Sequence, residues 1–199
     1  MSNLRPGTRT GFTADVIELE TLRLRLHAVD EEEARRIIAR VPGPSDMWGP
    51  DYPFAGDLIA LRGFLDASEM HGDQRPFGYF RISRRSDGLT VGGVGFKGRP
   101  DERGAVEIGY GLAPSARGSG YAAEAVIALI RFSSDHAVAL ILADTDLDNI
   151  ASQRTLERAG FSRVAAASRN PAAHRRRGLF RANDGRRPPF RRTKNRTID

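Results

Sequence analysis

The residues of this sequence that are best suited to bind an anion form the run Arg117-Gly118-Ser119-Gly120. Apolar residues alternate before this run as they do in a β-strand, and good helix formers follow it from Tyr121 to Ile127. Glycine permits a sharp turn with uncovered amides, and the first amides of a helix have no partner within the helix. Because the helix dipole and Arg117 add positive charge, the run predicts a site for a phosphate-bearing ligand. A turn with a purely structural role is the alternative.

Asn149 and Ser152 form a second group of polar residues, at the predicted start of a later helix. By default Asn149 is a helix N-cap, and Ser152 is a solvated position in the first turn. The strand before this helix should neighbour the strand before the glycine run, so both side chains could reach the same ligand. The residues alone leave the two interpretations open.

Glu107 is the third candidate, a carboxylate in the middle of a predicted strand between Val106 and Ile108. Partial burial would raise its pKa toward the range of a general base, whereas a solvent-facing strand position is the simpler explanation. Glu124 is better explained as a helix-surface or salt-bridge residue. The four histidines are scattered and cysteine is absent, so no metal site is predicted and thiolate catalysis is excluded.

The elements that must position these residues indicate an α+β fold with a mostly antiparallel sheet and helices packed on it. Leu22, Leu24 and Leu26 alternate with polar residues and predict the first strand. The later patterns predict helices at 30–40, 57–70, 119–134 and 149–159, and strands at 77–84, 89–97, around 107, at 138–143 and at 161–167, with an acidic loop at 144–148.

The net charge of +6 is concentrated at the end of the chain. The segment from Arg163 to Asp199 holds 12 of the 31 basic residues and 2 of the 25 acidic ones, so the rest of the chain is mildly acidic. An argument for nucleic-acid binding therefore applies only to the tail. The chain has no apolar run of the ~20 residues that span a membrane, and its N-terminus lacks the apolar centre of a signal peptide, which predicts a cytoplasmic protein.

Together these motifs resemble the GNAT superfamily of acetyl-CoA-dependent N-acetyltransferases. The resemblance covers residues 18–165 and is carried by Arg117-x-x-Gly120-x-Ala122 and by Asn149-x-x-Ser152-x-x-x-Leu156-Glu157-Arg158-x-Gly160-Phe161. The second pattern, with the run 21–26, is similar to the RimJ/RimL branch, which is named for acetylation of ribosomal-protein N-termini. The resemblance implies helices on both faces of the sheet and central strands that splay apart.

The resemblance also implies where acetyl-CoA, the co-substrate, would bind. Backbone amides of the glycine turn would hold the coenzyme A pyrophosphate, and the pantetheine arm would lie along the central strand as an extra strand does. Asn149 and Ser152 would lie near the pantetheine and the thioester. The remaining residues assigned to the coenzyme are Tyr110, Leu112, Ala113, Arg117, Gly118, Ser119, Gly120, Tyr121 and Ala122.

The chemistry implied by the resemblance is direct attack of an amine on the thioester in a ternary complex. Glu107 matches a frequent base position of the family, and a water-relayed proton is an equal alternative. Many relatives carry a tyrosine acid seven residues after the asparagine, where this chain has Leu156. We therefore expect Ser152 to serve the leaving thiolate. The acceptor, a protein N-terminus or a small amine, stays open, as does a homodimer.

The sequence departs from the family at its C-terminus, where an Arg-rich run replaces the expected apolar last strand. We expect a loosely ordered segment 1–17, a catalytic domain 18–168 and an Arg-rich segment 169–199. The segment 169–199 is interpreted either as a flexible or replaced tail or as a degenerate strand around Leu179–Phe180.

Two other functions are retained as alternatives. The body could be a degenerate acyl-CoA-binding module whose basic tail binds RNA or ribosomes through phosphate contacts. The glycines 118 and 120, followed by a helix, a strand and an aspartate, also loosely imitate a dinucleotide-binding unit of an oxidoreductase. The antiparallel meander upstream argues against that second alternative.

Overall fold

The computed structural model describes residues 17–164 and 177–182. In these residues no helix is long and apolar enough to cross a membrane. The elements are β1 (Glu18–Glu20), β2 (Leu24–Ala28), α1 (Glu31–Ile38), α2 (Ala55–His71), β3 (Tyr79–Arg84), β4 (Thr90–Phe96), β5 (Ala105–Leu112), α3 (Tyr121–Asp135), β6 (Leu140–Asp146), α4 (Ile150–Arg158), β7 (Phe161–Val164) and β8 (Arg177–Ala182).

The eight strands form one open sheet in the order β1-β2-β3-β4-β5-β6-β8-β7. Every neighbouring pair is antiparallel except β5 and β6, which are parallel. The predicted α+β class and the mostly antiparallel sheet are confirmed. A doubly wound dinucleotide-binding fold, whose sheet is mostly parallel, is contradicted by this strand order.

Helices cover both faces of the sheet because the strands bury alternate residues on each side. On β3, Tyr79 contributes to the core under α1 and α2, while Phe80 and Ile82 contribute to the larger core under α3 and α4. Glycine replaces larger residues on β4 where backbones come close. A Cβ at Gly92 would lie 2.9 Å from the Leu112 Cα, so a larger residue does not fit there unless the backbone shifts.

The N-terminal hairpin corrects one sequence prediction. Leu22 was expected in the first strand, but it is 88% exposed at the turn between β1 and β2. The Thr21 N–H donates to the Leu24 carbonyl at 2.9 Å, and this closes the turn and moves Leu22 out of the sheet. Leu24 and Leu26 are fully buried, as the alternation predicts.

Strand β8 lies inside the Arg-rich segment and joins β6 to β7. It contains the predicted short strand at Leu179–Phe180, and Phe180 is only 1% exposed. Because β8 pairs with Asp144 and Asp146, the predicted loop 144–148 is wrong in its first three residues, which belong to β6. The expectations for residues 1–16, and for 165–176 and 183–199, lie outside the described residues.

Asp57 anchors the start of α2 from a buried position. One carboxylate oxygen accepts the Phe54 N–H at 3.1 Å, and the other accepts the Tyr79 hydroxyl at 2.8 Å. Burial raises the pKa of Asp57 from 3.8 to about 6, against the opposing effect of these two hydrogen bonds. The folded protein therefore binds a proton at Asp57 more tightly than the unfolded chain does.

We predict that Asp57→Asn stabilises the protein at pH 7 and that the gain disappears below about pH 4. A folded-state pKa above the unfolded value means that stability falls as pH rises between the two values, and asparagine removes that loss. The asparagine oxygen can still accept the Phe54 N–H, and its NH2 group can donate to the Tyr79 hydroxyl oxygen, which reverses the direction of that hydrogen bond. The expected gain is about 1–3 kcal/mol. Urea unfolding of both proteins from pH 4 to pH 7 measures it. A difference in the free energy of unfolding between the two proteins that is the same at every pH would contradict the prediction.

Candidate active site

The parallel strands β5 and β6 share hydrogen bonds along only half of their length. Pairing joins Ala105–Ile108 to Leu140–Ala143 and then ends, although β5 continues to Leu112 and β6 to Asp146. Beyond Ile108, β5 is still paired with β4, and β6 with β8. The two strands therefore diverge and leave a cleft in the middle of the sheet, as the splayed-strand prediction requires.

The glycine run lies directly after β5 and begins α3. A 3-10 turn at Pro114–Ala116 connects the two, and Gly118 and Gly120 have φ angles of 83° and 78°, which glycine adopts without strain. Gly120 is the N-cap of α3 and makes no side-chain cap hydrogen bond. The first amides of this 15-residue helix therefore lack a side-chain cap, as a site that binds an anion requires.

Two arginines hold the glycine turn in place. The Arg117 Nε donates to the Leu112 carbonyl at 3.0 Å, which ties the turn to the end of β5. Arg23 donates to the Ser119 carbonyl at 2.9 Å and forms an ion pair with Glu124 at 2.6 Å. The salt-bridge role predicted for Glu124 is confirmed. Arg23 was not predicted here, because its partners lie about one hundred residues away and the strand pattern around it carries no sign of them.

Asn149 and Ser152 lie at the start of α4, beside the cleft. Asn149 is the N-cap and accepts the Ser152 N–H at 3.0 Å, as the default interpretation predicts. The Ser152 Oγ lies 2.8 Å from the hydroxyl of Tyr110 on β5, and that hydroxyl also donates to the Ser152 carbonyl at 3.0 Å. Because a tyrosine hydroxyl has one proton, Ser152 is then the donor in the shorter contact.

Glu107 belongs to a charged cluster near the base of the cleft. The Lys97 ammonium at the end of β4 donates to both Glu107 and Asp144, and Arg177 of β8 pairs with Asp144 from the other side. Burial raises the pKa of Glu107, and Asp144 adds to this rise while Lys97 opposes it. For Asp144, burial is outweighed by the hydrogen bond from Lys97, which helps lower its pKa to about 2.

Lys97 remains charged in this cluster. Burial alone would lower its pKa, but the hydrogen bonds to Asp144 and Glu107 raise it above its ordinary value. Glu107 is thus paired with a cation, and the hydrogen bond from Lys97 is made to one of its two carboxylate oxygens, Oε1. Sequence reasoning identified Glu107 but neither Lys97 nor Arg177, because strand pairing brings these residues together.

The predicted residues are therefore distributed around one cleft. Glu107 and Tyr110 are three positions apart on β5 and so point to opposite faces of the sheet. The carboxylate lies on one face and the Tyr110–Ser152 hydroxyl pair on the other. Leu112 and Ala113 are buried where the strand ends, and Tyr121 and Ala122 pack partly against the core in the first turn of α3. Within residues 17–164 and 177–182, no group of three or more acidic or histidine side chains could hold a metal ion.

Comparison with known proteins gives consistent results. A family model described as an acetyltransferase (GNAT) domain matches residues 23–162. The uncharacterized N-acetyltransferase YjdG of Bacillus subtilis (strain 168) is 31% identical over 151 residues, which cover 73% of this chain and 90% of the relative.

Two solved structures show the same fold at lower identity. An acetyltransferase from Agrobacterium tumefaciens str. C58 has a TM-score of 0.59 at 20% identity and covers 89% of this chain and 100% of its own. The RimL ribosomal L7/L12 alpha-N-protein acetyltransferase in complex with coenzyme A has a TM-score of 0.58 at 16% identity and covers 84% of this chain and 97% of its own.

The charged cluster makes a prediction that needs no substrate. Lys97→Met removes the cation that lowers the pKa of Glu107, so this pKa should rise further. Lys97→Arg keeps the charge and serves as the matched control, with a smaller change expected. Carbon-13 NMR titration of the glutamate carboxylates measures both variants. A Glu107 pKa that is unchanged or lower in Lys97→Met would contradict the ion pair.

Proposed function

The chain belongs to the GNAT family of acetyltransferases, and on that premise we propose that it transfers the acetyl group of acetyl-CoA to a primary amine by direct attack in a ternary complex. The divergence of β5 and β6 is the observation that carries this proposal. The uncapped N-terminus of α3 and the Tyr110–Ser152 hydroxyl pair lie toward the end where the strands have separated, and the charged cluster of Glu107 lies where their pairing ends. The family assignment predicted from the sequence is confirmed.

Acetyl-CoA fits this cleft in two respects. The pyrophosphate would bind the amides from Gly118 to Ala122, where a Cβ at Gly118 would meet no atom within 4 Å and the backbone is open to a ligand. The pantetheine arm would lie along β5 from Tyr110 to Ala113, beside the edge that β6 leaves. Arg117 supports this binding by holding the end of β5 against the turn.

The proposed mechanism uses groups on the two faces of the sheet. Glu107, or a water that it holds, removes a proton from the acceptor ammonium. Backbone amides of β5 beside the cleft polarise the thioester carbonyl. On the other face, Ser152 turns the proton that it donates to Tyr110 toward the leaving thiolate, which it then stabilises or protonates.

Strand β8 supports a wider catalytic domain than the residues 18–168 expected from the sequence. It supplies the neighbour of β6 along the diverging half, and its Arg177 pairs with Asp144 beside Glu107. We therefore include residues 177–182 in the proposed domain. In this proposal the Arg-rich segment has a role in the wall of the cleft.

The proposed activity is tested by the release of free thiol from acetyl-CoA on addition of primary amines. We expect amine-dependent release whose kcat/KM rises with pH through the elevated pKa of Glu107, because the base must be ionised. Glu107→Gln should lower kcat/KM by roughly a hundredfold or more and abolish this dependence. A Glu107→Gln profile identical to that of the unaltered protein would leave water as the base, and no release with any amine would reject the proposed activity.

Ser152→Ala tests the group assigned to the thiolate. The variant should lower kcat by roughly tenfold to a hundredfold, because the thiolate loses its donor, while acetyl-CoA affinity changes little. Steady-state kinetics and calorimetric titration with acetyl-CoA measure the two effects. Ser134→Ala, which removes an exposed serine hydroxyl from α3, is the matched control. An unchanged kcat in Ser152→Ala would remove Ser152 from the mechanism.

A further inference from the structure

A cavity of about 470 Å³ lies between α2 and strands β3, β4 and β5. Its volume is within the range of roughly 300–1,000 Å³ that is typical of small-molecule sites. Gly109, Tyr110 and Gly111 line it, and these residues also border the diverging half of β5. The cavity is therefore continuous with the cleft, on the face of the sheet where Glu107 lies.

Four glycines form the floor of this cavity. Gly93 of β4 pairs with Gly111 of β5, and Gly95 pairs with Gly109, so the four glycines adjoin. A Cβ at Gly95 would lie 2.9 Å from the Tyr79 Cα, so the space above Gly95 is filled. The Tyr79 and Phe54 rings lie against Gly93 and Gly111. At Gly109 an added Cβ would meet only the Lys97 Cε at 3.7 Å, and the space above this glycine is open.

The walls offer apolar contact and few free polar groups. Aromatic rings contribute to them from Phe54 and Phe64, whereas the rings of Phe77 and Phe96 pack against Phe132 of α3. Asp57 and Tyr79 are hydrogen-bonded to each other, and the backbones of β4 and β5 are paired in the sheet. A peptide bound here would bury backbone amides without hydrogen-bond partners, which is unfavourable. An apolar group has no hydrogen bonds with water to lose.

The cavity ends at the charged cluster. Lys97 lines this end, and its ammonium lies between the carboxylates of Glu107 and Asp144. These two carboxylates can accept a second ammonium that enters along the cavity. An occupant with an apolar body and one amine thus matches both the walls and the end of the cavity.

We propose that this cavity binds the acceptor and that the acceptor is a small primary amine with an aromatic body, of the arylalkylamine class. The ring lies over Gly109 and the ammonium faces Glu107. This proposal rests on the proposed function, because the bound amine is acetylated only if the protein transfers acetyl groups from acetyl-CoA. The ammonium gives one proton to Glu107, its nitrogen bonds to the acetyl carbon, the carbon–sulfur bond breaks, and a second proton from the nitrogen ends on the CoA thiolate.

The test places a larger side chain on α2, the helix that lines the cavity opposite the sheet. Gly63 of α2 lines the cavity, and a Cβ there would meet nothing within 4 Å, so Gly63→Leu adds a side chain to the empty space without a clash. Leucine is also a better helix former than glycine, so α2 should be retained. Arg62→Leu adds the same side chain at the neighbouring exposed position and is the matched control.

Three amines are compared in the thiol-release assay: 2-phenylethylamine, ethylamine and a Gly-Ala-Ala peptide. We expect kcat/KM for phenylethylamine to exceed that of the other two by about tenfold or more, because the ring leaves water. Gly63→Leu should reduce it by a similar factor and leave ethylamine turnover and acetyl-CoA affinity within about twofold. Arg62→Leu should change none of them. Equal use of the peptide, unchanged phenylethylamine turnover in Gly63→Leu, or a loss of acetyl-CoA affinity there would overturn the proposal.

A binding measurement separates this proposal from the proposed activity. Line broadening of the phenylethylamine proton NMR signals reports binding whether or not thiol is released. Broadening in the unaltered protein and in Arg62→Leu, but not in Gly63→Leu, supports the cavity assignment even if no acetyl transfer occurs. The absence of broadening in the unaltered protein rejects it.

Discussion

Strands β5 and β6 run side by side for four residues and then separate, and each continues with a neighbour on its other side only. The edge that this separation leaves on β5 is the feature on which the site depends, because an extended ligand can approach only where a strand lacks a partner. The hydrogen bonds between Tyr110 and Ser152 connect β5 to α4 in this region. The separation of β5 and β6 is thus stabilised by these side-chain contacts and by the pairing of β5 with β4 and of β6 with β8.

Charge is distributed unevenly around the divergence. At the N-terminus of α3, Arg23 is neutralised by Glu124, so the helix amides and Arg117 supply the positive potential for a phosphate. At the opposite end, among the described residues, the carboxylates of Glu107, Asp144 and Asp146 face two cations, Lys97 and Arg177, so these five side chains together carry an excess of negative charge. An anionic coenzyme and a cationic acceptor would therefore meet complementary potentials at the two ends, and each would be disfavoured at the other.

Features set by local sequence were predictable. The glycine turn before α3, the Asn149 cap and the burial of Leu24 and Leu26 follow from residue types within a few positions of one another. Contacts between distant segments were not. Strand β8 pairs with Asp144 and Asp146 across an Arg-rich stretch with little apolar periodicity, so these aspartates resembled a loop. Lys97 and Arg23 reach their partners only after the sheet has formed.

The cavity shows why acceptor preference is hard to derive from sequence even when the family is clear. Four glycines line it, at 93, 95, 109 and 111, and they lie together because Gly93 aligns with Gly111 and Gly95 with Gly109. Of these four, Gly109 is the one with open space above it. A shift of β4 against β5 by one residue would turn two of them to the opposite face and place side chains in the cavity. In the proposed acceptor site, specificity would therefore depend on strand register together with residue type, and relatives with other residues at these positions should accept other amines.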